Sequence, residues 1–151
     1  RLPNATVDFA DVNPRAAEQI EKNINLLGFD QSRARVYSSD VYASIPKGEY
    51  DVIFANPPYI KNEHDGRVDE SVLAHEPHEA LFAEENGFAL LKKTILEGEA
   101  FLHKDGMLFV EFDDIQKDEL ELFVQGVPWI DCTFIRDQFG AYRWLSTKKV
   151  V

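Results

Sequence analysis

Four consecutive residues, Asn56-Pro57-Pro58-Tyr59, combine hydrogen-bond acceptors, a stiffened backbone and an aromatic plane. Neither proline has an N–H to offer a sheet, and each biases the residue before it towards extended backbone, so Asn56 and Pro57 have few alternative conformations. The Asn56 side-chain oxygen and the Pro57 carbonyl can together accept both hydrogens of a planar –NH2 group, while the Tyr59 ring can lie along the plane of an amide or a base. Such nitrogens are poor nucleophiles, because the lone pair is tied up in conjugation. Two fixed acceptors orient the nitrogen and stabilise the positive charge it gains on attack, which suits methyl transfer driven by positioning and electrostatics without a strong base. The same four residues also make a plain strand terminator and turn, and alone they do not separate the two readings.

The elements around this corner follow from the sequence pattern. Tyr50-Asp51-Val52-Ile53-Phe54-Ala55 comes after the turn signal Pro46-Lys47-Gly48 and is cut off by the two prolines, so it reads as a buried strand. Its carboxyl end is the edge where open α/β sheets bind ligands. Thr6 to Asp11 reads as an earlier strand, followed by a helix with Asn13 as cap, Pro14 in the first turn and Gly28 as stop. Ala17, Ile20, Ile24 and Leu27 recur at helical spacing and are expected to pack on the sheet. Ala34 to Ser38 is the next strand, ending at Ser39-Asp40-Val41-Tyr42.

Asp11 and Asp40 therefore fall at two neighbouring strand ends. A carboxylate at Asp11 can accept two vicinal ribose hydroxyls, or it can serve as a first-turn charge favoured by the helix dipole. Asp40 can accept from an adenine amine, with Val41 offering its backbone N–H and an apolar face to the ring, or it can cap the following turn.

From Lys61 to Glu84 the chain has no clear period and holds His64, His75 and His78. Loops of that length in compact domains are usually functional or disordered. His75-Glu76-Pro77-His78 makes a weak metal site, since Pro77 breaks helical spacing and no cysteine or second histidine pair completes a ligand set, so no metal is expected. Asn86 and Gly87 introduce a helix whose buried side is marked by Leu90, Leu91, Ile95 and Leu96, then Phe101 and Leu102. Lys104-Asp105-Gly106 is expected to turn the chain into a buried strand, Met107 to Phe112. Asp113 or Asp114 caps a last helix running to about Gln125, and Ile130 to Arg136 and Tyr142 to Thr147 form two closing strands. Trp129 and Trp144 read as core or edge packing.

Composition narrows the classes. At 151 residues, 44% hydrophobic and 28% charged, the chain has the makings of one globular domain with one sizeable core. The net charge of −11, with an isoelectric point near 4.7, leaves no basic stripe for collecting phosphates, so direct nucleic-acid binding is not expected. Cys132 is the single cysteine and forms no internal disulfide. No apolar run is long enough for a membrane span.

The motifs and their spacing resemble a known family. Asn56-Pro57-Pro58-Tyr59 matches the NPPY motif of S-adenosylmethionine-dependent amino-methyltransferases. Tyr59-Ile60, Glu76-Pro77-His78-Glu79-Ala80-Leu81-Phe82 and Glu85-Asn86-Gly87 then follow at the spacing of the HemK/PrmC family, the protein-(glutamine) methyltransferases of peptide-chain release factors. Ser39-Asp40-Val41-Tyr42, Glu111 with Gln116, and Arg136-Asp137 with Gly140 and Arg143 echo further family segments, and the likeness runs from about Val7 to about Lys149.

The resemblance implies a Rossmann-like class I methyltransferase sheet ending in an antiparallel hairpin, over a single N-terminally incomplete domain, 1–151. Its first strand and Gly-rich loop are expected to lie before Arg1, because no Gly-rich loop occurs in the sequence and a strand begins almost at once. It further implies S-adenosylmethionine as cofactor, held by Asp11, Asp40, Val41 and Asn56, and catalysis and substrate binding by Asn56, Pro57, Pro58 and Tyr59. Glu111 and Gln116 support the pocket. The implied partner is a release factor, methylated on the glutamine of its Gly-Gly-Gln loop, in the cytoplasm or, in a eukaryote, the mitochondrion. The rival readings are a nucleic-acid amino-methyltransferase, disfavoured by the acidic balance and the Glu76 to Phe82 block, and a noncatalytic methyltransferase-fold fragment.

Overall fold

A computed structural model describes residues 4–48, 50–59 and 87–149. By internal contacts the chain divides into two compact units, Arg1–Lys47 and Gly48–Val151.

In the first unit, strand β1 (Val7–Asp11) pairs in parallel with β2 (Ala34–Ser38), Asp11 opposite Ser38. Parallel neighbours need a crossover, and helix α1 (Pro14–Leu26) supplies it. Its start is as expected: Asn13 is extended, its side chain accepts the Arg15 N–H at 2.9 Å, and Pro14 occupies the first turn. Ala17, Ile20 and Ile24 are half-buried, but Leu27 is 81% exposed. The helix ends at Leu26, with Leu27 as its C-cap and Gly28 at a left-handed φ of +62°.

In the second unit, β3 (Tyr50–Ala55) pairs in parallel with β4 (Leu102–Glu111), and β6 (Tyr142–Lys149) runs antiparallel between β4 and β5 (Trp129–Arg136). β4 is longer than the expected Met107 to Phe112. Lys104-Asp105-Gly106 does not turn the chain into the strand but bulges it, the pairing with β3 jumping from Tyr50–Leu102 to Val52–Met107. Asp105 takes a φ of +67° there and pairs with Lys148 at 2.8 Å.

Alternation along these strands builds the core. Leu108 and Val110 of β4, with Leu145 and Thr147 opposite on β6, are fully buried, joined by Phe112 just beyond the strand. Helices α2 (Ala89–Gly98) and α3 (Lys117–Val124) contribute Leu91, Ile95, Leu120 and Val124 to the same buried set. On α2 the buried stripe is Leu91, Thr94, Ile95 and Gly98, the i, i+3, i+4, i+7 face of one helix. Leu96 lies off that face and is 55% exposed, contrary to expectation. Thr94 takes a core position because its hydroxyl donates to the Leu90 carbonyl at 2.8 Å. Trp129 is buried as expected, its indole N–H donating to the Ile95 carbonyl at 3.2 Å.

Asp113 caps the 3-10 turn Asp114–Gln116 ahead of α3, in a reciprocal box in which its own N–H donates to Gln116 Oε1 at 3.0 Å. Among the described residues no helix is long and apolar enough to cross a membrane.

Candidate active site

The candidate residues sit at carboxyl ends of parallel strands, in each unit separately. In the first unit, Asp11 closes β1, and its Oδ1 accepts the Asn13 N–H at 2.8 Å, which fixes the carboxyl group between strand and helix. The Ser39 N–H donates to the Asp11 carbonyl at 2.8 Å, so the chain beyond β2 stays tied to the end of β1. Asp40 follows at once, exposed, on the same edge one strand away. Asp11 and Asp40 thus fall at neighbouring ends of the parallel pair.

Val41 carries the clearest backbone signature in this unit. Its φ is +53°, a left-handed conformation that a β-branched residue adopts only at a cost of about 1–3 kcal/mol. Ser39 holds it there. The Ser39 side chain is buried, its hydroxyl donates to the Val41 carbonyl at 3.1 Å and accepts the Ser44 N–H at 2.9 Å, and Tyr42 is buried beside it. Sequence reasoning gave Val41 a role and named Ser39 only as part of the Ser39-Asp40-Val41-Tyr42 segment. A serine just after a strand and just before a candidate residue was the available signal.

In the second unit, Asn56-Pro57-Pro58-Tyr59 leaves β3 where Ala55 pairs with Val110, beside Glu111 at the end of β4. Asn56 is exposed, Pro57 buried, and Pro58 and Tyr59 half-buried. The Tyr59 phenol donates to Glu111 Oε1 at 3.0 Å, and the Tyr59 carbonyl accepts from Gln116 Nε2 at 3.4 Å. Burial, then the Glu111 charge and hydrogen bond, push the phenol above its ordinary value, with Arg143 acting weakly in the other direction. Glu111 and Gln116 thus contact the corner they were expected to support.

Gly87 was read only as part of a helix start. With a φ of +78°, it packs so tightly that a Cβ would lie 2.1 Å from the Tyr59 carbonyl oxygen. His64, His75 and His78 and the Glu76 to Phe82 block lie outside the described residues, as does Asn86. Among the described residues no group of three or more His, Cys, Asp or Glu is placed to hold a metal.

A family model described as the methyltransferase small domain matches residues 1–81, more than half of the chain. The chain belongs to the methyltransferase small-domain family. A release factor glutamine methyltransferase of Streptococcus pneumoniae is 34% identical over 145 residues, covering 93% of this chain and 50% of that protein. A ribosomal protein uL3 glutamine methyltransferase of Neisseria gonorrhoeae is 32% identical over 131 residues, covering 85% and 42%. The chain therefore spans about half the length of the curated relatives it matches. A solved methyltransferase from Pyrococcus furiosus superposes with a TM-score of 0.69 at 18% identity, over 100% of this chain and 66% of that one. The fold is that of the class I methyltransferases, with a parallel part and a closing antiparallel pair.

Proposed function

We propose that this methyltransferase-family chain is part of an enzyme that methylates the side-chain nitrogen of a glutamine in a protein, and that both of its units belong to one catalytic domain. The observation that supports this most is the braced corner: an exposed Asn56 on two prolines, with Tyr59 hydrogen-bonded to the end of the neighbouring strand. A glutamine –NH2 gives its two hydrogens to Asn56 Oδ1 and the Pro57 carbonyl, with its amide plane along the Tyr59 ring. These acceptors stabilise positive charge developing on nitrogen, and they need no strong base, because the amide proton becomes acidic only once a methyl has begun to transfer.

S-adenosylmethionine, the donor this family implies, supplies an electrophilic methyl group when bound. The residues that fit it are Asp11 for the ribose hydroxyls, Asp40 for the adenine amine and Val41 for the ring. The fixed Asp11 carboxyl, the shared strand edge and the locked Val41 backbone support that fit.

For the substrate, a release factor is our choice, on the motif spacing after Asn56-Pro57-Pro58-Tyr59 and the name of the Streptococcus pneumoniae relative. Ribosomal protein uL3 is the second reading, carried by the name of the Neisseria gonorrhoeae relative. Transfer of labelled methyl groups to release factor, uL3, RNA and DNA tests both, and label in nucleic acid alone overturns the proposal. Asn56→Ala is expected to abolish transfer with the melting temperature preserved. Retained activity in that variant would remove the proposed grip.

A further inference from the structure

Tyr59 is held at three points by residues distant from it in sequence. Gln116 reaches its carbonyl at 3.4 Å, and Gly87 packs against the same peptide so closely that no side chain fits there. Both act on the backbone. Gln116 is itself fixed, since it is buried and its Oε1 accepts the Asp113 N–H at 3.0 Å. Glu111, at the end of β4, reaches the far end of the ring, accepting the phenol O–H at 3.0 Å.

A tyrosine ring anchored at its backbone still turns about two side-chain torsions, the second of them broad. A hydrogen bond at the phenol oxygen removes most of that freedom. We propose that Glu111 is a positioning residue of the acceptor site: by accepting the Tyr59 O–H it sets the plane in which the ring meets the substrate amide, while Gln116 and Gly87 hold the peptide beneath it. The proposal rests on the reading of Tyr59 as part of the acceptor grip. It gives Glu111 no proton to remove from substrate, because the proton facing its Oε1 belongs to the phenol. Burial and the Glu111 charge both favour the protonated phenol, so the donor keeps its proton through the neutral range.

The test uses the full chain with ring-labelled tyrosine, following each phenol by NMR as pH rises, with Tyr59→Phe identifying the resonance. Glu111→Ala is expected to shift the Tyr59 titration to lower pH and to reduce kcat roughly 10- to 100-fold, the scale of a misplaced positioning group, with KM for S-adenosylmethionine unchanged. Glu111→Gln keeps an acceptor oxygen and loses the charge. It is expected to lower the titration as well but to recover most of kcat, and it carries the test if the alanine variant does not fold. An unchanged Tyr59 titration in both variants overturns the contact. A shifted titration with wild-type kcat, or Glu111→Gln as slow as Glu111→Ala, overturns its role in positioning. A wild-type protein that methylates no acceptor, with Tyr59 titrating as expected, overturns the methyl-transfer reading and the role resting on it. The phenol titration distinguishes that failure from loss of the contact itself.

Discussion

Two glycines with left-handed backbone separate two physical costs that are often merged. Gly28, at φ +62°, has no atom within 4 Å of where a Cβ would stand, so Gly28→Ala meets only the left-handed penalty, about 1–2 kcal/mol. Gly87, at φ +78°, adds a collision with the Tyr59 peptide, and Gly87→Ala is expected to cost at least about 3 kcal/mol. Denaturant midpoints of the two variants check the difference, and equal losses would mean that the close approach to Tyr59 is absent in solution. Val41 is the reverse case, a β-branched residue in the left-handed region. Val41→Gly removes that strain, and it is expected to keep the fold while weakening S-adenosylmethionine binding, because the apolar face and the locked backbone are both lost. Calorimetric titration with the cofactor reads this directly.

At the scale of elements, the β5–β6 hairpin depends on Asp137. Its Oδ1 accepts the Phe139 N–H at 2.8 Å and the Ala141 N–H at 3.1 Å, and its Oδ2 lies 3.6 Å from Arg143 Nε. Partial burial opposes the charged form, but these backbone donors and Arg143 more than offset it, so the carboxyl lies below the usual aspartate value. A folded value below the unfolded one means that the carboxylate contributes stability above about pH 3.9, the unfolded value, and that this is lost as pH falls through the folded value. The stability difference between wild type and Asp137→Ala is therefore expected to be full near neutrality and to shrink on acidification. Urea melts at several pH values check it, and a difference that grows in acid would contradict the assignment. The turn matters beyond itself, since β6 lies between β4 and β5 and takes part in two of the three strand pairings of its sheet.

For the molecule as a whole, buried atoms are concentrated in the second unit. Among the described residues, the eleven of the main hydrophobic cluster, from Phe88 to Leu145, lie there, whereas α1 has no buried residue. Leu108→Ala, at a fully buried site between helices and sheet, is expected to cost about 2–5 kcal/mol. Phe54→Ala should cost only about 1 kcal/mol, because Phe54 is 72% exposed and its main contact is a stacked ring at Phe109, 4.9 Å away. Thermal denaturation of the pair measures the contrast, and similar losses would show that the face of β3 bearing Phe54 is covered in solution.

The sequence by itself determined the bounds of β2 and β3 and the capped start of α1 at Asn13, because alternation, a capped helix start and proline stops are local signals. It also determined the motif at Asn56 to Tyr59 and the acids at two strand ends, since residue type and position after an apolar run carry that information. Only the tertiary structure decided that Lys104-Asp105-Gly106 is a bulge inside β4, that Thr94 and not Leu96 faces the core, that Gly87 packs against the Tyr59 peptide, and that Glu111 and Gln116 reach the Tyr59 phenol and carbonyl respectively. These are contacts between segments up to 57 residues apart, or departures from ideal spacing that a neighbour imposes. No local pattern encodes them, because the free energy that selects them comes from the partner across the fold.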